Sequence, residues 1–286
     1  MLVVLGAACE KKKPNDTGAV NAMDRASDGS AAQGPVDTTP LAGIDVGKLE
    51  ADRQKLFYTL VGSLKSPCGK AHSLRTSFKD DTACKRAPFA VRYVLSLVED
   101  EATETQIREE FDKKYKPTGS QDLKFDVSKA PHEGPEDAPI RLVEFYDYGC
   151  PHCAAFKPML EQVMKDEQGK AVEYFMMFPL EKHENSKSAA QGRFKEMHDA
   201  LFAHAPEQNH EQVTDMAKSI GLDMAKFEAV YSDPATLAHV LSDLAQGERA
   251  GVDSTPTMFF NGRKYEGPMH PKYIEMWIEE ELAVNR

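Results

Sequence analysis

The motif Cys150-Pro151-His152-Cys153 is the feature that most constrains this chain. It comes shortly after the apolar run 140–146, so the two cysteines stand where a buried strand ends and a helix begins. Such a helix has Pro151 at its first position, where the missing N–H costs nothing, and the Cys150 sulfur faces unpaired N–H groups. The helix dipole and the neighbouring His152 stabilise a thiolate at Cys150, which favours the reduced pair and makes the disulfide an oxidant.

Three other segments accompany the motif in a fixed order: Val143-Glu144-Phe145, the run 194–202, and the stretch from Gly251-Val252 through Thr255-Pro256-Thr257 to Asn261-Gly262. Together with the motif they resemble the DsbA-like thiol-disulfide oxidoreductases of the bacterial envelope, over about residues 121–286. The resemblance implies an α/β thioredoxin fold with a helical insertion at about 184–250. It also implies cysteine-containing substrate proteins, and no cofactor is expected.

The resemblance also implies roles for individual residues. Cys150 is expected to form the mixed disulfide with substrate, with Cys153 as its buried partner. An X–Pro bond taken alone favours trans, but the proline that faces the disulfide in this fold is cis, so Thr255–Pro256 is expected to be cis. The backbone of Thr255 is then free to pair with an extended substrate peptide.

Glu144 lies within the apolar strand, six residues before Cys150. Burial of a carboxylate is costly, and in the resembled family an acidic residue at this position helps to move protons to or from the buried cysteine. The alternative is a glutamate on a solvated edge of the sheet. The scattered histidines have no ligand spacing and are expected at surface or capping positions: His132, His183, His198, His204 and His270.

Cys68 and Cys84 form a second candidate pair within residues 45–120, which we predict to be a small all-helical domain. Apolar residues recur at helical spacing over 49–64 and 89–98, and a third helix is expected over 103–115. A structural disulfide between the two cysteines would close a loop of about 15 residues and stabilise the fold by roughly 3 kcal/mol. The alternative is a redox relay to the active site. A zinc site would need a second close pair, so no metal is expected.

Residues 1–44 are interpreted as a lipoprotein-like signal remnant and a flexible tether. Small residues precede Cys9 after a short apolar run, which is typical of a processing site at which Cys9 becomes lipidated. The alternative is a frayed apolar terminus. Residues 10–43 are poor in aromatics and rich in Ala, Gly, Asp, Thr and Pro. These features predict a location in the bacterial cell envelope, periplasmic and lipid-anchored.

The net charge of −11 and the lack of a basic stripe argue against nucleic acid as a partner. The leading hypothesis is an envelope thiol-disulfide oxidoreductase that oxidises cysteines in other proteins. A membrane redox partner would then reoxidise its active site. The second hypothesis is a disulfide isomerase or reductase, which a partner would keep reduced. The third is a non-enzymatic metallochaperone or peptide-binding module that uses the two thiols as ligands.

Overall fold

The computed structural model describes residues 35–115, 123–180, 192–205 and 209–285. The segment from Thr38 to Arg286 forms one compact unit. Cys9, His183, most of the predicted tether and the predicted domain boundary near residue 120 lie outside the described residues. The division into domains at that boundary therefore stays a prediction.

The helical segment comprises α1 (Ala51–Ser63), α2 (Leu74–Asp80), α3 (Ala87–Glu99) and α4 (Glu104–Tyr115). Three of these follow the predicted periodicity. Helix α2 was not predicted, because its 7 residues are too few to show a period. It begins where the Ser73 hydroxyl accepts a hydrogen bond from the Thr76 amide at 3.2 Å.

A disulfide joins Cys68 and Cys84 around helix α2, as the positions of the two cysteines predicted. Their Cα atoms are 5.8 Å apart, and the two cysteines lie 16 positions apart in the sequence. Cys84 is buried, whereas Cys68 is half-buried. The bond therefore fixes the loops on both sides of α2 to one another.

We expect the double substitution Cys68→Ala with Cys84→Ala to lower the free energy of unfolding by about 3 kcal/mol, because the unfolded chain gains the freedom of the opened loop. Urea denaturation with and without reductant measures the loss. Turnover on a reduced model protein should stay near the level of the unmodified protein. A large loss of turnover in a variant that still folds would instead support the relay hypothesis.

The sheet has five strands among the described residues, in the order β1-β3-β2-β4-β5. Strands β2 and β3 are parallel, and the other neighbouring pairs are antiparallel. The strands are β1 (His132–Glu133), β2 (Ile140–Tyr146), β3 (Ala171–Met177), β4 (Thr257–Phe260) and β5 (Arg263–Lys264). Strand β1 was not predicted, because two residues carry no alternation. Strand β2 lies at the centre of the sheet.

Helix α5 (Pro151–Asp166) connects β2 to β3, and α10 (Pro271–Val284) closes the chain. The insertion between β3 and β4 contains α6 (Phe194–Ala203), α7 (His210–Ser219), α8 (Met224–Tyr231) and α9 (Pro234–Arg249). Side chains of α5 and α10 cover one face of the sheet, and α6 to α9 complete a core that contains both Cys150 and Cys153. The predicted thioredoxin fold with a helical insertion and a preceding helical segment is confirmed.

Buried charges join the helical segment to α10. The Glu280 carboxylate accepts hydrogen bonds from Arg86 at 2.6 Å and from the Tyr115 hydroxyl at 2.9 Å, and its ion pair with Lys114 is 3.0 Å long. The Lys114 ammonium lies 3.8 Å from the centre of the Trp277 ring. Burial lowers the pKa of Lys114 to about 8, although Glu280 opposes the shift. The contact between the helical segment and α10 is therefore stable only while these buried charges remain paired.

Within the described ranges, no helix is both long enough and apolar enough to cross a membrane.

Candidate active site

Cys150 is the N-cap residue of α5, and Pro151 is the first residue of the helix. Its backbone is extended, with φ −83° and ψ 117°, and its carbonyl accepts the first helical hydrogen bond from Ala154 at 3.1 Å. The helix start agrees with the prediction from Pro151, because a residue without an N–H is tolerated at the first position of a helix. The Cys150 side chain therefore lies beside the unpaired N–H groups of the first turn.

A buried aspartate shapes the loop that leads from β2 to the motif. The Asp147 carboxylate accepts hydrogen bonds from the amides of Gly149 at 2.8 Å and Leu180 at 2.9 Å, and its carbonyl accepts one from the Cys150 amide at 3.0 Å. Asp147 therefore connects the loops that follow β2 and β3. Sequence reasoning missed this residue, although an aspartate three residues before the N-cap of a helix is a turn signal.

The loop before β4 faces Cys150. The Thr255–Pro256 peptide bond is cis, as the resemblance implied. The Cys150 thiol donates a hydrogen bond to the Thr255 carbonyl, with 3.4 Å between sulfur and oxygen. The structure thus brings together two segments that are 105 residues apart in sequence.

Cys153 lies one turn inside α5, and both thiols are free. Cys153 is buried, as expected for the partner of Cys150, and Cys150 is nearly as buried, with 2% and 4% of their surfaces accessible. The surroundings of Cys153 are nevertheless different. Burial raises the pKa of its thiol, and the charge of Glu144 raises it further. Pro151 and His152 lie on the exposed side of the same turn.

Glu144 is buried on the central strand, so a solvated edge position is wrong. Its side chain forms a hydrogen bond with Glu173 on β3, which is also buried. Burial raises the pKa of Glu144 to about 7 and raises that of Glu173 well above its ordinary value. Glu173 was missed in the sequence, where a single glutamate in an apolar strand gives no sign of a partner.

His198 is buried, so the predicted surface position is wrong for this histidine. Its Nδ1 is 3.1 Å from the Tyr148 hydroxyl, and that hydroxyl is 3.2 Å from the hydroxyl of Tyr146. Burial lowers the pKa of His198 to about 3, so the ring is neutral near pH 7. The three side chains pack in the same core as the two thiols. Among the described residues, no group of three His, Cys, Asp or Glu side chains is placed to hold a metal ion.

Residues 126–280, more than half of the chain, match the family model described as thioredoxin. The Na(+)/H(+) antiporter NhaA 3 of Salinispora tropica is 29% identical over 161 residues, which cover 54% of this chain and 25% of that protein. NhaA 1 of Mycobacterium sp. (strain KMS) is 35% identical over 146 residues, which cover 47% of this chain and 24% of that protein. The chain thus spans about a quarter of the length of these curated relatives, and the antiport in their names belongs to those proteins.

Among solved structures, the thiol-disulfide exchange protein alpha-DsbA2 from Wolbachia pipientis is similar to 64% of this chain and 97% of its own. The sequence identity is 24%, and the TM-score is 0.48. The family match covers the sheet, the motif at the start of α5, the insertion and most of α10. Because the family model covers more than half of the chain, the chain belongs to this thioredoxin family.

Proposed function

We propose that this protein is an envelope thiol-disulfide oxidoreductase that transfers a disulfide from Cys150 and Cys153 to pairs of cysteines in other proteins. The observation that carries the proposal is the placement of Cys150 at the start of α5, with its sulfur 3.4 Å from the Thr255 carbonyl. A helix start stabilises a thiolate, and the facing loop is where a peptide would have to approach.

The exchange proceeds in two displacements. A substrate thiolate attacks the Cys150 sulfur, a sulfur–sulfur bond forms to substrate, and the Cys150–Cys153 bond breaks with its electron pair on Cys153. A second substrate thiolate then attacks the substrate sulfur of the mixed disulfide and releases Cys150. The substrate has lost two electrons, and the protein has gained them as two thiols. The raised pKa of Cys153 supports its role as the thiol that stays protonated once the pair is reduced.

Glu144 is the group that supplies a proton to Cys153 in this proposal. Its carboxyl is buried, and its charge raises the pKa of the Cys153 thiol. Burial keeps a fraction of the carboxyl protonated near neutral pH, so a proton is at hand when the Cys153 thiolate leaves. His152, exposed on the first turn of α5, would add positive charge beside Cys150 when it is protonated.

Thr255 and Pro256 would form the docking site for substrate. Thr255 is buried and lies against Cys150 through its carbonyl. An extended substrate peptide would pair with the backbone of Thr255 as an added strand, which brings its own cysteine to Cys150. Main-chain pairing of this kind accepts many sequences, as a general oxidant of protein thiols requires.

The envelope location belongs to the same proposal. The Cys68–Cys84 disulfide is a bond that persists in oxidising compartments, which include the bacterial periplasm. Lipidation of Cys9 would hold the protein at a membrane, where a membrane redox partner reoxidises the active-site thiols. Labelling of expressing cells with a fatty acid analogue tests the anchor: Cys9→Ser should lose the label, and equal labelling of both proteins would contradict it.

The reduction potential of the Cys150–Cys153 pair tests the direction of transfer. The protein is equilibrated with glutathione, alkylated and analysed by mass spectrometry. We expect a reduction potential of about −120 mV, as in the oxidant DsbA. A reduction potential of about −270 mV, as in thioredoxin, would contradict the oxidase assignment and favour a reductase. The Cys68→Ala, Cys84→Ala variant serves as the matched protein, because it leaves one redox pair to titrate in the described structure.

A further inference from the structure

Three glutamates form a row across neighbouring strands of the sheet. Glu133 on β1 is paired directly opposite Glu173 on β3. Glu173 in turn is paired with Leu142 on β2, two residues before Glu144. Residues two apart on a strand point to the same face, so the three carboxyls lie on one side of the sheet. The charge of Glu144, at the inner end of this row, acts on the Cys153 thiol and raises its pKa.

The row goes from the core to the edge of the sheet. Glu144 and Glu173 are buried, whereas Glu133 is half-buried on the edge strand. Two ionised carboxylates in contact within a protein core repel each other and lose their hydration. The side-chain hydrogen bond between Glu144 and Glu173 needs a proton, because an ionised carboxylate only accepts.

The two lysines whose charges act on this row have acidic partners of their own. Lys157 on α5 pairs with Glu161 and Asp199, each at 2.6 Å. Lys195 on α6 pairs with the same two acids. Two positive charges are thus matched by two negative charges, close to the row. Among the described residues, neither Glu144 nor Glu173 forms an ion pair. A bound proton is therefore what reduces the negative charge of these two carboxyls.

We propose that Glu144 and Glu173 share one proton at neutral pH, and that Glu173 is a positioning residue that keeps this proton available to Cys153 through Glu144. The inference rests on the proposed function for its role in the reaction. The sharing itself rests on the strand register, the burial of both side chains and their mutual contact. The half-buried Glu133 adds negative charge at the outer side and so favours retention of the proton.

The proton balances the first displacement. When substrate thiolate attacks Cys150, the electron pair of the broken bond goes to the Cys153 sulfur, and the shared proton moves from the carboxyl pair to that sulfur. The pair is left with two negative charges and takes one proton from water. When the disulfide forms again, the Cys153 thiol loses its proton to the pair, and the pair releases one proton to water. The carboxyl pair thus ends each cycle as it began.

Titration of the glutamate carboxyls tests the sharing without any redox partner. The probe is ¹³C NMR of protein labelled at the glutamate side-chain carboxyl, with Glu144→Gln and Glu173→Gln used to assign the signals. In the unmodified protein we expect both signals to show two steps, one near or below neutral pH and one well above it. In Glu173→Gln, the Glu144 signal should keep a single step. Two carboxyls that each titrate once, near the ordinary glutamate pKa of about 4.3, would overturn the proposal.

The pH profile of disulfide opening tests the link to Cys153. The oxidised protein is reduced by a small dithiol, and each rate constant is divided by the ionised fraction of that dithiol. We expect the corrected rate to stay nearly flat from neutral pH to the alkaline step in the unmodified protein. In Glu173→Gln it should fall about tenfold per pH unit above the remaining Glu144 step, because no carboxyl proton is left.

Glu248→Gln is the matched control, because Glu248 is exposed on α9. It should keep both titration steps and the flat profile. A flat profile in Glu173→Gln would overturn the role of Glu173. The titration and the transfer assay test different claims. Two-step titration in a protein that exchanges no disulfide would count against the proposed function alone. Single-step titration in an active protein would count against the shared proton alone.

Discussion

We expect Cys150→Ser to abolish disulfide transfer to a reduced model protein, down to the rate seen with no protein added. The thiolate is the nucleophile and the site of attack, and a serine hydroxyl forms no disulfide. The fold should be unaffected, because a hydroxyl can donate to the Thr255 carbonyl as the Cys150 thiol does at 3.4 Å. Recovery of native, disulfide-bonded model protein measures transfer, and circular dichroism checks the fold.

The variant Cys153→Ser tests the separate role of the second cysteine. When this variant is mixed with a substrate in its disulfide form, the Cys150 thiolate attacks that disulfide and forms a mixed disulfide. Because no Cys153 thiol can then displace the substrate from Cys150, the covalent complex should accumulate and appear on non-reducing gels. In the reduced protein, iodoacetamide near pH 7 should label Cys150 before Cys153, since burial raises the pKa of Cys153. Equal labelling rates, or covalent complexes that form through Cys153 in Cys150→Ser, would contradict the assignment of the two roles.

We expect Glu280→Ala to lower the free energy of unfolding by about 3–5 kcal/mol, because Lys114 and Arg86 would lose their buried acid. Lys114 and Glu280 have 2% and 1% of their side chains exposed, so water cannot replace the lost partner. Urea denaturation measures the change. Limited proteolysis should in addition show faster cleavage of the helical segment, which contacts α10 through these charges.

Glu279→Ala provides the matched control one residue earlier on α10. Its carboxylate pairs with Arg92 at 2.8 Å, but both side chains are about half exposed. Surface ion pairs contribute about 0–1 kcal/mol, so the loss should be small. Equal losses for Glu279→Ala and Glu280→Ala would show that the buried cluster does not stabilise the contact between the helical segment and α10.

The sequence predicted the features that depend on local patterns. A proline after Cys150 indicated the start of a helix, and the helix begins there. The positions of Cys68 and Cys84 predicted the observed disulfide. The cis bond before Pro256 followed from the resemblance, since an X–Pro bond taken alone favours trans. In each case a few neighbouring residues, or a recognised motif, carried enough information.

Features that depend on distant partners were missed. Glu280 lies within the acidic run 279–281, which in sequence looks solvated, yet it is buried against Tyr115, 165 residues away. The register of β3 with β2 places Glu173 near Glu144, and the packing of α6 brings His198 against Tyr148. Burial of a polar side chain is set by tertiary contacts that a periodic pattern does not encode.

The central claim is that Cys150 and Cys153 pass their disulfide to another protein. The most direct test mixes the oxidised protein with a reduced model protein that has one pair of cysteines, stops the reaction with acid and measures both by mass spectrometry. We predict that the model protein gains one disulfide for every Cys150–Cys153 disulfide that is lost, while the Cys68–Cys84 bond remains intact. A model protein that stays reduced while Cys150 and Cys153 remain bonded would contradict the account.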